Sequence, residues 1–371
     1  MKLFLLIFLA MYGSAHAYVY RKLTLAYPLR RCWRQTAIVL LLLATTAPLL
    51  IRLSERQGHP HLATALAYPG YIWMAVLFLF ITISGSWDLA AAGNHFIAVL
   101  LRKPRRQSPH CHRIQLHICT LLAATCTLYG FFEAGDIRTE HIRIISKKLA
   151  ATDRPLRIVQ ISDVHLGILM GEQRVQKIIN AIIAAHPDLL VCTGDLIDGN
   201  LTRDGAVVGH FQQIHPSLGA YAVFGNHEYY VGLDHSLQMM REAGFTVLKG
   251  EIVQAGPIAI AGADDRTARR LNAYREFPVH TSPTFTLLLK HQPIISSEIP
   301  FDLQLSGHVH KGQIFPFNLV TWLRFRVKSG LSRLTNGSYL YVNRGTGTWG
   351  PPIRLLAPPE ITVIELVPER R

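Results

Sequence analysis

Four stretches of the chain, Leu3–Tyr20, Thr36–Ile51, Tyr71–Trp87 and Ile114–Phe132, are apolar and contain no Asp, Glu, Lys or Arg. Each is near or slightly below the ~20 residues that a helix needs to cross a bilayer. For any one of them the alternative, the weaker of the two readings, is a buried helix of a soluble domain. Four in series at the start of the chain read as a membrane region. The first also has features of a cleavable signal peptide, with Lys2, an apolar run and Ala15-His16-Ala17.

Charge separates this region from the rest. The 371 residues carry 38 Lys+Arg and 24 Asp+Glu, a formal net charge of +14. Residues 1–150 hold 17 basic and 5 acidic residues, a net of +12, and residues 151–371 hold 21 and 19, a net of +2. The basic excess therefore belongs to the apolar half, which argues for basic loops beside a membrane and against nucleic-acid binding. Arg21–Arg34 and Arg102–Arg113 each hold five basic residues, whereas the Arg52–Gly70 loop holds Arg52, Arg56 and Glu55. The positive-inside rule puts the two basic loops in the cytoplasm. Four spans then place everything after Phe132 outside it, whereas cleavage of the first would turn both basic loops outward. The organisation expected is a transmembrane region over 1–134, a polar linker over 135–154 and a globular domain over 155–371. Five cysteines without a CxxC pair give no disulfide framework and no thiolate zinc site.

From Pro155 short apolar runs alternate with helical periodicity, the pattern of an α/β layered domain. Strands are expected at Leu156–Ile161, Asp188–Thr193, Ala220–Phe224, Ile258–Ala261, Phe285–Leu289, Leu303–Leu305, Tyr339–Val342 and Ile361–Leu366. Helices are expected at Gln173–Ala185 and Leu237–Ala243. Several of these strands end in polar clusters, which together supply Asp163, His165, Asp195, Asp198, Asn226, His227, His291, His308 and His310. Carboxylates, imidazoles and one amide without thiolate suit a borderline or hard divalent cation. His186, His210, His215, His235 and His280 match no motif and read as surface residues.

These clusters resemble the calcineurin-like metallophosphoesterases. The motifs are Asp163-Val164-His165, Gly194–Asp198, Gly225–Glu228, His291 in Lys290-His291-Gln292-Pro293, and Gly307-His308-Val309-His310, and the likeness covers Leu156–Leu366. The tail NRGTGTWGPP, Asn343–Pro352, resembles the bacterial membrane-associated or exported branch. The resemblance implies an α/β fold in which the four transmembrane helices precede a two-layer β-sandwich flanked by α-helices. It implies two divalent metal ions (Mn, Fe or Zn): one held by Asp163, His165 and His310, the other by Asn226, His291 and His308, with Asp195 bridging. Hydroxide held between the metals would attack phosphorus, His227 would act as acid and Asp198 would orient it. Together with the loop charges, this reads as an integral, inner-membrane phosphoesterase with an extracytoplasmic catalytic domain. It would act on a phosphomonoester, phosphodiester or pyrophosphate, including lipid-linked ones. The alternatives are a pyrophosphatase of a nucleotide-activated acyl sugar and an inactive metal-binding scaffold or receptor. Two departures stand out: Lys311 where the branch has Gly, and Glu228 for the commoner Asp. The segment Phe315–Lys328 mixes aromatic and basic residues, which suits either a bilayer interface or a loop packed on the domain.

Overall fold

A computed structural model of the chain describes residues 2–102, 108–150, 154–199, 208–275, 283–297 and 299–369, with Lys2–Phe4 as backbone only. It divides into two compact units, Met1–Phe131 with Gly350–Ile353, and Phe132–Trp349 with Arg354–Arg371.

The first unit is built from four long helices, α1 (Lys2–Ala26), α2 (Arg31–Arg56), α3 (Pro60–Leu100) and α4 (Pro109–Glu133). Among the described residues, α2, α3 and α4 are long and apolar enough to cross a membrane. The helices continue past the hydrocarbon limits read from composition, because backbone hydrogen bonding does not stop where side chains turn polar. The expected Arg52–Gly70 loop thus shrinks to residues 57–59. With 41 residues, α3 is about 60 Å long, twice the hydrocarbon thickness, and part of it projects beyond. Asp88 of α3 joins three helices. It accepts hydrogen bonds from Tyr18 Oη (2.7 Å) and Gln115 Nε2 (2.7 Å) and pairs with Lys22.

The second unit contains two six-stranded sheets, ordered β1-β12-β2-β3-β4-β5 and β10-β11-β9-β8-β7-β6. Their strands are β1 (Arg138–Ser146), β2 (Leu156–Ile161), β3 (Leu189–Cys192), β4 (Ala220–Ala222), β5 (Thr246–Val247), β6 (Glu251–Ala255), β7 (Ile258–Ala263), β8 (Phe285–Lys290), β9 (Leu303–Ser306), β10 (Gly330–Arg333), β11 (Tyr339–Val342) and β12 (Glu360–Pro368). Helices α5 (Glu172–Ala184), α6 (Asn226–Val231), α7 (Leu233–Glu242), α8 (Arg266–Arg270) and α9 (Phe317–Phe325) complete the labels.

Side-chain alternation explains why the strands read as unbroken apolar runs. Ile158, Leu189, Val191 and Ile364 share one core with Ile260, Leu287, Leu289 and Leu305 of the other sheet. Their neighbours Val159, Ile161, Leu190, Cys192 and Val363 face a second core with Val175, Ile178, Ile179 and Ile182 of α5.

One assignment is corrected. Residues 135–154 do not form a linker throughout, since Arg138–Ser146 form β1, paired in parallel with β12. Within β1, Glu140, Ile142 and Ile144 are more buried than their charged or polar neighbours. That period-two pattern is obscured in the sequence by three charged residues, Arg138, Glu140 and Arg143, and β12 lies over 200 residues away. β2, β3 and β4 are parallel neighbours, as are β8 and β9. The carboxyl ends of these five strands carry every polar cluster named above.

Candidate metal centre

Just beyond those strand ends the backbone turns sharply. Asp163, His165, Asp195, His308 and His310 have φ of 52°, 53°, 51°, 70° and 47°. For residues with a Cβ this left-handed region costs on the order of 1–2 kcal/mol each, which the packed strands on either side must offset. Two glycines permit close approach. A Cβ on Gly225 would lie 2.1 Å from Asp195 Oδ1, and one on Gly307 would lie 2.2 Å from Asp163 Oδ2.

These turns bring all seven predicted ligands together. Asp163, His165 and His310 form one group whose donor atoms lie within 4.8 Å of one another, and Asp195, His291 and His308 form another. In the first, His310 Nε2 is 3.2 Å from Asp163 Oδ1 and 3.1 Å from His165 Nε2. In the second, His291 Nε2 lies 3.2 Å from Asp195 Oδ2, 3.2 Å from Asn226 Oδ1 and 3.1 Å from His308 Nδ1. Asp195 Oδ2 also lies 4.0 Å from His165 Nε2, so one carboxylate oxygen faces both groups.

The electrostatics fit cations. Histidine binds metal as neutral imidazole and carboxylates bind ionised. Burial and the neighbouring His227 push His165 down to about 3, and burial with His291 pushes His308 down to about 4. Asp163 and Asp195 lie below the usual carboxylate range because facing histidines outweigh their burial. Despite burial, Asp195 pulls His291 well above the ordinary histidine value. That is the response of an imidazole to a net anionic donor set. Buried and half-buried imidazoles whose nitrogens face one another and carboxylates suit divalent cations, and among the described residues no thiolate joins them.

His227 forms a third group with His165 and Asp195, their donor atoms also within 4.8 Å of one another, and further residues surround the set. Asp198 Oδ1 is 2.9 Å from His227 Nδ1. Burial opposes protonation of His227, yet Asp195 and Asp198 raise it to about 9. Glu228 was legible only as a variant residue. It is fully buried and accepts from the backbone N–H of Gly225 (2.7 Å), Asp195 (3.0 Å) and Ile197 (3.0 Å). Burial and Asp195 push its carboxyl up to about 7. Arg354 belongs to no motif, so the sequence does not single it out. Fully buried, it donates to the carbonyls of Arg344 (2.7 Å), Gly347 (3.1 Å) and His310 (3.2 Å) and to His310 Nδ1 (3.2 Å). Lys311 adopts φ +50° with an exposed side chain, so it replaces glycine at the cost of backbone strain and does not reach the donors.

The unassigned histidines stay apart from the site. His186 and His215 are exposed, His210 and His235 are half-buried, and His280 lies outside the described residues. Within Phe315–Lys328, Phe317–Phe325 form helix α9, which has no buried residue. Phe317, Leu319, Val320, Trp322 and Leu323 are exposed, whereas Phe325 turns inward, its ring centroid 5.3 Å from that of His308.

Comparison with known proteins follows the same residues. The calcineurin-like phosphoesterase pattern matches residues 156–312. An uncharacterized metallophosphoesterase of Aquifex aeolicus is 40% identical over 68% of this chain and 98% of its own length. One from Campylobacter jejuni is 27% identical over 98% of both chains. A transmembrane protein with metallophosphoesterase domain from Danio rerio is 29% identical over 91% of this chain and 81% of that protein.

Proposed function

The chain belongs to the calcineurin-like phosphoesterase family and is a membrane-associated, metal-dependent phosphoesterase, and we propose that it is a four-span, membrane-anchored two-metal enzyme with a β-sandwich catalytic domain. The observation that carries this reading is the position of Asp195 Oδ2 between the two donor groups. Asp163, His165 and His310 would hold one cation, Asn226, His291 and His308 the other, with Asp195 shared. When bound, two such ions supply Lewis acidity to a phosphoryl group and make water acidic enough to attack near neutral pH.

The chain's own residues do the rest. Asp198 ties His227 Nδ1, which leaves Nε2 to carry the proton for the departing oxygen. Glu228 holds the Asp195 turn through three backbone donors, and Arg354 holds the His310 turn. The reaction is hydrolysis of a phosphomonoester, phosphodiester or pyrophosphate. A lipid-linked substrate is supported by α9, which runs from a proposed ligand's neighbour to an exposed apolar surface carrying Arg324 and Arg326. The loop charges support an extracytoplasmic catalytic domain in an inner membrane.

Purified full-length protein, stripped by chelator and reloaded with Mn, Fe or Zn, should hydrolyse water-soluble phosphoesters only after reloading. Asp195→Asn should lose turnover and metal from both groups while remaining folded. Full activity in that variant would sink the two-metal reading. A C-terminal reporter fusion reads the side of the membrane independently.

A further inference from the structure

Two aromatic side chains flank His227. The ring centroid of Tyr230 lies 5.6 Å from that of His227 and the Trp349 centroid lies 5.8 Å away, at interplanar angles of 65° and 76°. They arrive from different elements, Tyr230 from the next turn of α6 and Trp349 from the loop that follows β11. Both are wet, at 61% and 54% exposure. Large aromatic surface left in water forgoes the free energy of burial. Trp349 is not loosely placed, because its backbone N–H and carbonyl are both bonded to the Gln313 side chain. An exposed ring on an anchored stretch of backbone, beside His227, is placed for contact with something that is not part of the chain.

In an in-line displacement at phosphorus, nucleophile and leaving group occupy opposite apices. The oxygen that takes a proton from His227 is therefore on the leaving group, and its substituent must pass these two rings. We propose that Tyr230 and Trp349 form a leaving-group subsite for an alcohol that carries a flat, apolar-faced ring close to the ester oxygen. A small polar alcohol would leave both rings in water and gain nothing from them. This inference rests on His227 as the donor to the leaving oxygen, as set out above.

The test compares benzyl phosphate with methyl phosphate, whose alcohols are of similar acidity, on metal-loaded full-length protein in lipid nanodiscs. Wild type should favour the benzyl ester. Each ring contact contributes enough that the benzyl-to-methyl ratio of kcat/KM should fall about tenfold in Trp349→Ala and in Tyr230→Ala. Trp349→Phe should restore most of the ratio, which a merely structural defect would not do. An unchanged ratio in both alanine variants overturns the subsite. A second readout separates this failure from failure of the phosphoesterase reading. Fluorescence assigned to Trp349, by difference from Trp349→Phe, should be quenched by benzylphosphonate and not by methylphosphonate. If neither ester is turned over but that selective quenching is seen, the reaction assignment falls and the ring-binding site stands. Absence of selective quenching overturns the subsite.

Discussion

Gln313 holds Trp349 by both of its backbone polar groups. The Trp349 N–H donates to Gln313 Oε1 at 2.9 Å, and Gln313 Nε2 donates to the Trp349 carbonyl at 2.8 Å. Gln313 comes three residues after the ligand candidate His310, so the turn that carries His310 into the candidate site also positions the Trp349 loop. Gln313→Ala leaves two backbone groups without these partners, a loss of about 1–3 kcal/mol. We expect a fall in kcat/KM of about tenfold with unchanged bound metal. Gln313→Glu keeps the acceptor, loses the donor and should fall between. Steady-state kinetics with metal analysis of the same samples checks this, and an Ala variant equal to wild type would show that the pair holds nothing of consequence.

Glu228 holds the turn of Asp195, the proposed shared ligand. Its carboxylate accepts from three backbone N–H groups, one of them that of Asp195 itself. Glu228→Gln replaces one acceptor with an NH₂ that must face a donor. Metal affinity should drop about 10- to 100-fold, as for other residues that orient ligands. Titration of the chelated protein with Mn or Zn measures it. Glu228→Ala should be worse, because all three donors are then buried without that partner.

What the sequence disclosed and what it hid divide along physical lines. β2, β3, β8 and β9 were legible because they are buried on both faces, and the polar clusters at their ends were legible because short motifs carry them. β1 was hidden, since its inward Glu140, Ile142 and Ile144 alternate with Arg, His and Thr. Glu228 could be seen as a residue of the Gly225–Glu228 motif but not as the acceptor of Asp195 and Ile197, which lie more than 30 positions earlier. The Gln313–Trp349 and Arg354–His310 contacts likewise join residues 36 and 44 positions apart. No local periodicity reports such pairs. The same applies to Asp88, whose partners Lys22 and Gln115 come from two other helices.

Asp198 sits between two histidines, 2.9 Å from His227 Nδ1 and 3.7 Å from His165 Nδ1. Only the shorter distance is a hydrogen bond. Asp198→Asn should therefore impair His227 more than metal binding. General-acid catalysis is worth about 10²–10⁴-fold, and its loss is felt most by poor leaving groups. The expected result is a steep loss on alkyl phosphates and a smaller one on p-nitrophenyl phosphate, with metal content retained. Equal losses on both substrates would remove His227 from the role of acid.

Away from the site, Asp188 gives a prediction in pH. It accepts from Arg154 Nη2 at 2.6 Å and from the Arg157 N–H at 2.8 Å, tying the start of β3 to β2. Burial alone would raise its pKa, but the Arg154 ion pair and the backbone donor outweigh burial and lower it. A carboxylate depressed in the folded state stabilises the protein above its unfolded pKa of about 3.9 and loses that contribution as pH falls through the folded value. The charge-neutral variant Asp188→Asn should thus melt below wild type at pH 7, and the gap should close at pH values under about 4. Parallel melting curves of both proteins in one detergent across that range measure the gap directly. A gap that stayed constant with pH would mean that the Asp188 charge adds nothing to its hydrogen bonds.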